Sequence, residues 1–126
     1  MVLKKLTLFA AIFYAIALAT ASLMTLKNLP EVKLSFADKI FHFLAYSLFT
    51  ILWYFAFSMS LKFEKRKAIL TAAVFAILFG IVLEVLQGTI TTSRAFDVYD
   101  AFANSMGAIV ASFIIWLKHE LSVKKN

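Results

Sequence analysis

LEVLQGTITTSRAFDVYDAFANSMG, residues 83–107, closes one apolar run and opens the next. In this one stretch stand Glu84, Gln87, Arg94, Asp97, Asp100 and Asn104, groups that a chain dissolved in lipid should avoid. Their spacing is helical. Glu84 and Gln87 are three apart; Asp97, Asp100, Asn104 and Gly107 follow in steps of three and four, which places each set on one helix face. Between them, Gly88 to Phe96 reads as a Thr/Ser-rich loop. Gly88 is expected to end the first helix, since glycine tolerates the left-handed cap conformation. Asp97 or Asp100 is expected to open the second by accepting its first free amides.

Working outward, the flanking runs predict helices at about 68–87 and 98–118. Upstream lie two more, at about 38–61 and 6–26. The run from Leu6 to Leu26 carries no charge, and 21 residues at a rise of about 1.5 Å cover about 30 Å, the thickness of a bilayer core. Lys4-Lys5, this run and Ala19-Thr20-Ala21 also fit a cleaved signal peptide. A retained helix is favoured, because the run continues past that point and three apolar segments follow. The single proline, Pro30, sets a turn in the first linker, and Ser35 or Asp38 is the expected cap of the second helix. Residues 61–67, LKFEKRK, form a short basic hairpin connection. No run alternates as a β-strand would. The expected fold is therefore all-α: a single-domain polytopic membrane protein with a four-transmembrane-helix bundle.

Composition supports lipid as the solvent. The 126 residues are 63% hydrophobic and 16% charged, with a mean hydropathy of +0.88, whereas soluble domains have about 45–50% apolar and about 25% charged residues. The absence of cysteine excludes disulfides, thiolate metal sites and thiol nucleophiles. The net charge of +6 does not point to nucleic acid, because no basic helix face supports it. The cations instead flank apolar runs. Lys4, Lys5, Lys62, Lys65, Arg66, Lys67, Lys118, Lys124 and Lys125 fall on one side of the topology. Lys27, Lys33, Lys39 and Arg94 fall on the other. The richer side is expected to be cytoplasmic, with both termini inside.

That topology gathers the unusual residues at the outer leaflet. Asp38, Lys39, His42 and Tyr46 lie at the outer end of the second helix, Glu84 and Gln87 end the third, Arg94 lies in the loop that follows, and Asp97, Asp100 and Asn104 begin the fourth. Asp38, Glu84, Asp97 and Asp100 against Lys39 and Arg94 leave about two surplus negative charges. A protonated Glu84, a divalent metal ion held by His42, Glu84 and Asp100, or a cationic ligand would each relieve them. His42, Glu84 and Asp100 are the candidate catalytic groups. Asp38, Lys39, Tyr46, Gln87, Arg94, Asp97 and Asn104 are candidate ligand contacts. The plainer reading is helix capping, an ion pair from Arg94 to Asp97 or Asp100, and interhelical hydrogen bonds from Gln87 and Asn104. Ten such groups exceed what so small a bundle requires. Ala103, Gly107 and Ala111, with Ala76 and Gly80, read as small-residue stripes for close helix approach. No G-x-S-x-G, phosphate-binding glycine loop or H-E-x-x-H is present.

Asp38-Lys39-x-x-His42-Phe43-x-x-Tyr46, Glu84-x-x-Gln87 and Arg94-x-x-Asp97-x-x-Asp100-x-x-x-Asn104-x-x-Gly107 together resemble the VanZ-like family of small bacterial membrane proteins. The resemblance covers about residues 38–111. It implies a multi-pass protein of the bacterial cytoplasmic membrane, in a family associated with glycopeptide-antibiotic resistance, and no settled reaction. The expectation is an outward-facing polar pocket that binds, and in the stronger form modifies, a membrane lipid or lipid-linked envelope component. The alternative is a non-enzymatic accessory protein, monomeric or homo-oligomeric, whose polar cluster is structural.

Overall fold

The computed structural model describes residues 2–23, 35–90 and 98–125. Helix α1 is Val2–Leu23, α2 Ser35–Phe55, α3 Lys65–Ile90 and α4 Val98–Lys125; a π-helical turn, Ala56–Ser60, extends α2. All four helices are long and apolar enough to cross a membrane. No strand occurs among the described residues.

Cross-helix contacts fix the directions. Arg66 near the start of α3 meets Glu120 near the end of α4, so those two run antiparallel. Lys39 and His42 of α2 meet Asp100 and Asn104 of α4, so α2 and α4 run parallel, side by side. Helix α1 runs against α2: Thr7 meets Ser60 at one end and Tyr14 donates to the Ala45 carbonyl at 2.6 Å further along. The result is an up-down-up-down bundle. Helices α2, α3 and α4 form its core, and α1 lies outside, with Ala11 its buried residue.

Small residues decide how near the helices come. A methyl group at Gly107 would sit 2.3 Å from the Phe43 carbonyl oxygen and 3.2 Å from the Ser47 amide nitrogen. The α2 and α4 backbones therefore touch, and Ser47 Oγ reaches the Gly107 carbonyl at 3.1 Å. Ala76, Ala103, Ala108 and Ala111 are buried along the same seams. Beside this contact lies an aromatic core centred on fully buried Phe49, whose ring lies 4.7 Å from Phe79, 5.4 Å from Phe75 and 5.9 Å from Tyr46. Offset and tilted rings at such spacings add to the burial of their area.

Several boundaries differ from the sequence expectation. Gly88 does not end α3, which continues to Ile90. Glycine permits a break without compelling one, and the Thr89 hydroxyl binds the Val85 carbonyl at 3.0 Å, inside the continuing helix. The expected ends of α3 and α1 also move outward, because Lys65-Arg66-Lys67 and Lys4-Lys5 join the helices. Lysine and arginine are good helix formers whose stems cover apolar surface while their charges reach water. The tail likewise continues α4 to Lys125, held to α3 by the Arg66–Glu120 pair at 2.8 Å. The Pro30 turn, the Leu26 helix end, and Arg94 and Asp97 lie outside the described residues, as does the side chain of Ser35. Asp38 and Asp100 sit within the first turns of α2 and α4, where the positive end of the helix dipole favours a carboxylate.

The π turn is closed by the Leu61 amide on the Ala56 carbonyl at 3.1 Å and the Phe63 amide on the Phe57 carbonyl at 2.8 Å. Reversal of the chain there forces Lys62 to a φ of 59°, the left-handed region that costs an L-residue about 1–2 kcal/mol. Lys62→Gly is expected to raise stability by about 1 kcal/mol, read as a higher unfolding midpoint in detergent.

Candidate functional site: a buried polar cluster between α2, α3 and α4

The first layer belongs to α2 and α4. Helical spacing puts Asp38 and His42 on one side of α2, and the parallel neighbour offers Asp100 and Asn104 with the same four-residue step. Lys39 Nζ donates to Asp100 Oδ1 at 2.5 Å and lies 3.5 Å from Asp38 Oδ2. His42 Nε2 faces Asp38 Oδ1 at 3.5 Å and Asp100 Oδ2 at 3.4 Å. Its other ring nitrogen, Nδ1, is 3.1 Å from Asn104 Oδ1. The cluster is graded from wet to dry: the Asp38 side chain is 48% exposed, His42 13% and Asp100 11%. Asn104 is buried.

The imidazole is therefore held at both nitrogens. With Asn104 presenting its oxygen, Nδ1 carries a hydrogen. Nε2 then directs either a second hydrogen at the two carboxylates or a lone pair at a cation between them. The amide orientation of Asn104 thus selects the tautomer of His42. Asn104 Nδ2 has no hydrogen-bond partner among the described residues, and turning the amide over would place that donor on Nδ1.

A second layer lies deeper. Tyr46, one turn beyond His42, is buried, and its ring packs at Gly80 of α3, where an added methyl would meet Tyr46 Cε2 at 3.1 Å and Asn104 Cβ at 3.2 Å. Glu84, one turn further along α3, is 1% exposed. Gln87 is also buried, and its Nε2 donates to the Ser22 carbonyl of α1 at 2.8 Å. Of the sequence candidates, Asp38, Lys39, His42, Asp100 and Asn104 form one contact network, Tyr46 and Glu84 lie behind it, and Gln87 docks α1. Arg94 and Asp97 lie outside the described residues.

Asp38, His42 and Asp100 each offer a ligand atom, all within 4.8 Å of one another. One imidazole with two carboxylates suits several divalent ions. This trio includes Asp38 where the sequence reading had Glu84. An ion there competes with Lys39, whose ammonium already neutralises Asp100. Sequence reasoning had not singled out Ser47 or the position of Gly80 against Asn104. Ser47 was detectable as a small polar residue within an apolar run, but its partner was not.

The sequence profile of the VanZ/LLP1 family matches residues 2–119. The chain belongs to the VanZ/LLP1 family. An uncharacterised protein of the fission yeast Schizosaccharomyces pombe is 30% identical over 96 residues, 76% of this chain and 57% of the relative. The chain thus spans a little over half the length of that relative. No solved structure matches it. The family match takes in α1, α2, α3 and most of α4, and so both layers of the polar cluster.

Proposed function

We propose that this VanZ/LLP1 protein binds the polar head of a membrane lipid or lipid-linked envelope component at the α2–α3–α4 cluster. The observation that carries the reading is the Lys39–Asp100–His42–Asn104 network, graded from exposed Asp38 to buried Asn104, with Glu84 enclosed behind it. Ionisable groups inside a membrane segment are costly and mark functional sites by default. In this reading Lys39, at the rim, meets an anionic head group, and His42 and Glu84 move protons if the bound molecule is modified. In this reading the pocket opens at the outer face of a bacterial cytoplasmic membrane with both termini inside, which the excess of Lys and Arg at the opposite end supports. A cell-wall precursor carried on lipid fits both that location and the family's association with glycopeptide-antibiotic resistance.

The test is reconstitution with labelled envelope lipids. Glu84→Gln and His42→Ala are expected to lower retention or turnover of one lipid class by about tenfold or more, while the purified proteins remain folded. Binding or turnover unchanged in both variants would remove the assignment. One observation favours the accessory reading: Lys39 and Asp100 already satisfy each other. Under it, the same variants lose thermal stability, and any phenotype follows protein level.

A further inference from the structure

At the opposite end of the bundle, α3 and α4 line a groove of about 350 Å³. Its walls are Ile69, Leu70 and Ala73 of α3 and Ser112, Phe113 and Trp116 of α4, with Arg66 at its mouth. From Arg66 to Ala73 the groove runs about 10 Å along α3. Leu70, Phe113 and Trp116 are exposed, so the groove opens laterally, toward the acyl chains of a surrounding bilayer. Apart from Arg66 and Ser112 its lining is apolar, and Ser112 Oγ has no hydrogen-bond partner among the described residues.

We propose that this groove is a binding site for one anionic phospholipid, an acyl chain lying between α3 and α4 and the phosphate meeting Arg66. Charge complementarity selects this occupant. Arg66 lines the mouth, and Lys62, Lys65, Lys67 and Lys118 lie at the same end of the bundle, by the start of α3 and the end of α4, against two acids, Glu64 and Glu120. Arg66 gives Glu120 one nitrogen, Nη2, at 2.8 Å, and its side chain is 65% exposed. A guanidinium has five N–H donors, which leaves others for phosphate oxygens. Trp116 stands where aromatic side chains meet the head-group level. A zwitterionic lipid can fill the same apolar space, but its ammonium meets this basic rim unfavourably. The site is independent of the polar cluster at the other end, and neither proposal's failure bears on the other.

The chain holds two tryptophans, so fluorescence reads the groove directly. Trp53→Phe isolates Trp116; Trp53 Nε1 has no partner among the described residues, and its loss leaves no hydrogen bond broken. The difference between the unsubstituted protein and Trp116→Phe gives the same signal if that variant fails to fold. The protein is reconstituted in phosphatidylcholine with a small fraction of brominated-chain phosphatidylglycerol or brominated-chain phosphatidylcholine. Quenching of Trp116 by the anionic lipid is expected at about fivefold lower mole fraction. Arg66→Gln should erase that preference, and so should Ala73→Leu, which fills the groove with Arg66 intact. Equal quenching by the two lipids in the unsubstituted protein overturns the proposal, as does no quenching by either, which would mean the groove is closed by protein. A preference that survives Ala73→Leu also overturns it, because the lipid is then held by surface charge alone.

Discussion

Replacing Gly107 by alanine should lower the unfolding midpoint in detergent by on the order of 10 °C. The added methyl meets backbone rather than side chain: the Phe43 carbonyl oxygen at 2.3 Å, its carbon at 3.1 Å and the Ser47 amide at 3.2 Å. No rotamer change relieves such a contact, so α2 and α4 must separate. Separation stretches the Ser47 hydroxyl bond to the Gly107 carbonyl and reopens the seam between buried Ala103 and Ala111. Overpacking a tight core costs about 1–3 kcal/mol and occasionally more. Alanine returns up to about 1 kcal/mol in helix propensity. The clash prevails, because what the methyl meets is main chain. A net loss of about 2 kcal/mol corresponds to the stated shift at roughly 4–8 °C per kcal/mol for a small domain. Gly80→Ala is the control. Its methyl would meet the side chains of Tyr46 and Asn104 at 3.1–3.3 Å, which can yield, so the expected fall is a few degrees. A Gly107→Ala protein as stable as the unsubstituted one would show that the two helices do not touch here.

The second large effect is expected at Asp100. Asp100→Ala removes the acceptor of the 2.5 Å bond from Lys39 and one of the two carboxylates facing His42. Breaking a fully buried pair by deleting one partner costs about 3–5 kcal/mol. Lys39 retains 26% exposure and has Asp38 at 3.5 Å, so part of that loss is recovered, and about 1–3 kcal/mol is expected. The check is a double-mutant cycle in detergent. Lys39→Met combined with Asp100→Ala should be less destabilised than the sum of the two single variants, by about 1 kcal/mol or more, because the second substitution removes a charge the first left stranded. Strict additivity would mean that the two side chains do not interact across the α2–α4 seam.

Much of this architecture was legible in the chain. Uninterrupted apolar runs of bilayer length gave the four helices, and their order gave the up-down-up-down path. The step of four between Asp38 and His42, and between Asp100 and Asn104, correctly put each pair on one face. The spacing could not show that those faces meet each other, because a helix face carries no label of its partner. Gly107 held that information only in combination with the Phe43 backbone it contacts. The same limit explains Lys39, which the charge tally treated as one cation among two and which the fold makes the direct partner of Asp100. Gly88 misled because a residue that permits a turn was read as requiring one. The π turn at Ala56–Ser60 left no mark in the sequence. Past Lys118, α4 carries Glu120 to Arg66, 54 residues away, a contact that local pattern does not contain.

The parallel pairing of α2 with α4 has a consequence for biogenesis. Lys39 and His42 leave the ribosome some sixty residues before Asp100 and Asn104, from which they are separated by 61 and 62 positions. Synthesis proceeds from the N-terminus, so α2 enters the bilayer with a lysine and a histidine whose α4 partners are not yet made, and with only Asp38 of their own helix beside them. Until the last span arrives, those groups must sit at the water boundary or against the translocation machinery. The centre that defines this protein is therefore assembled in the final step of insertion, and a chain cut short before α4 exposes its unfinished state to quality control.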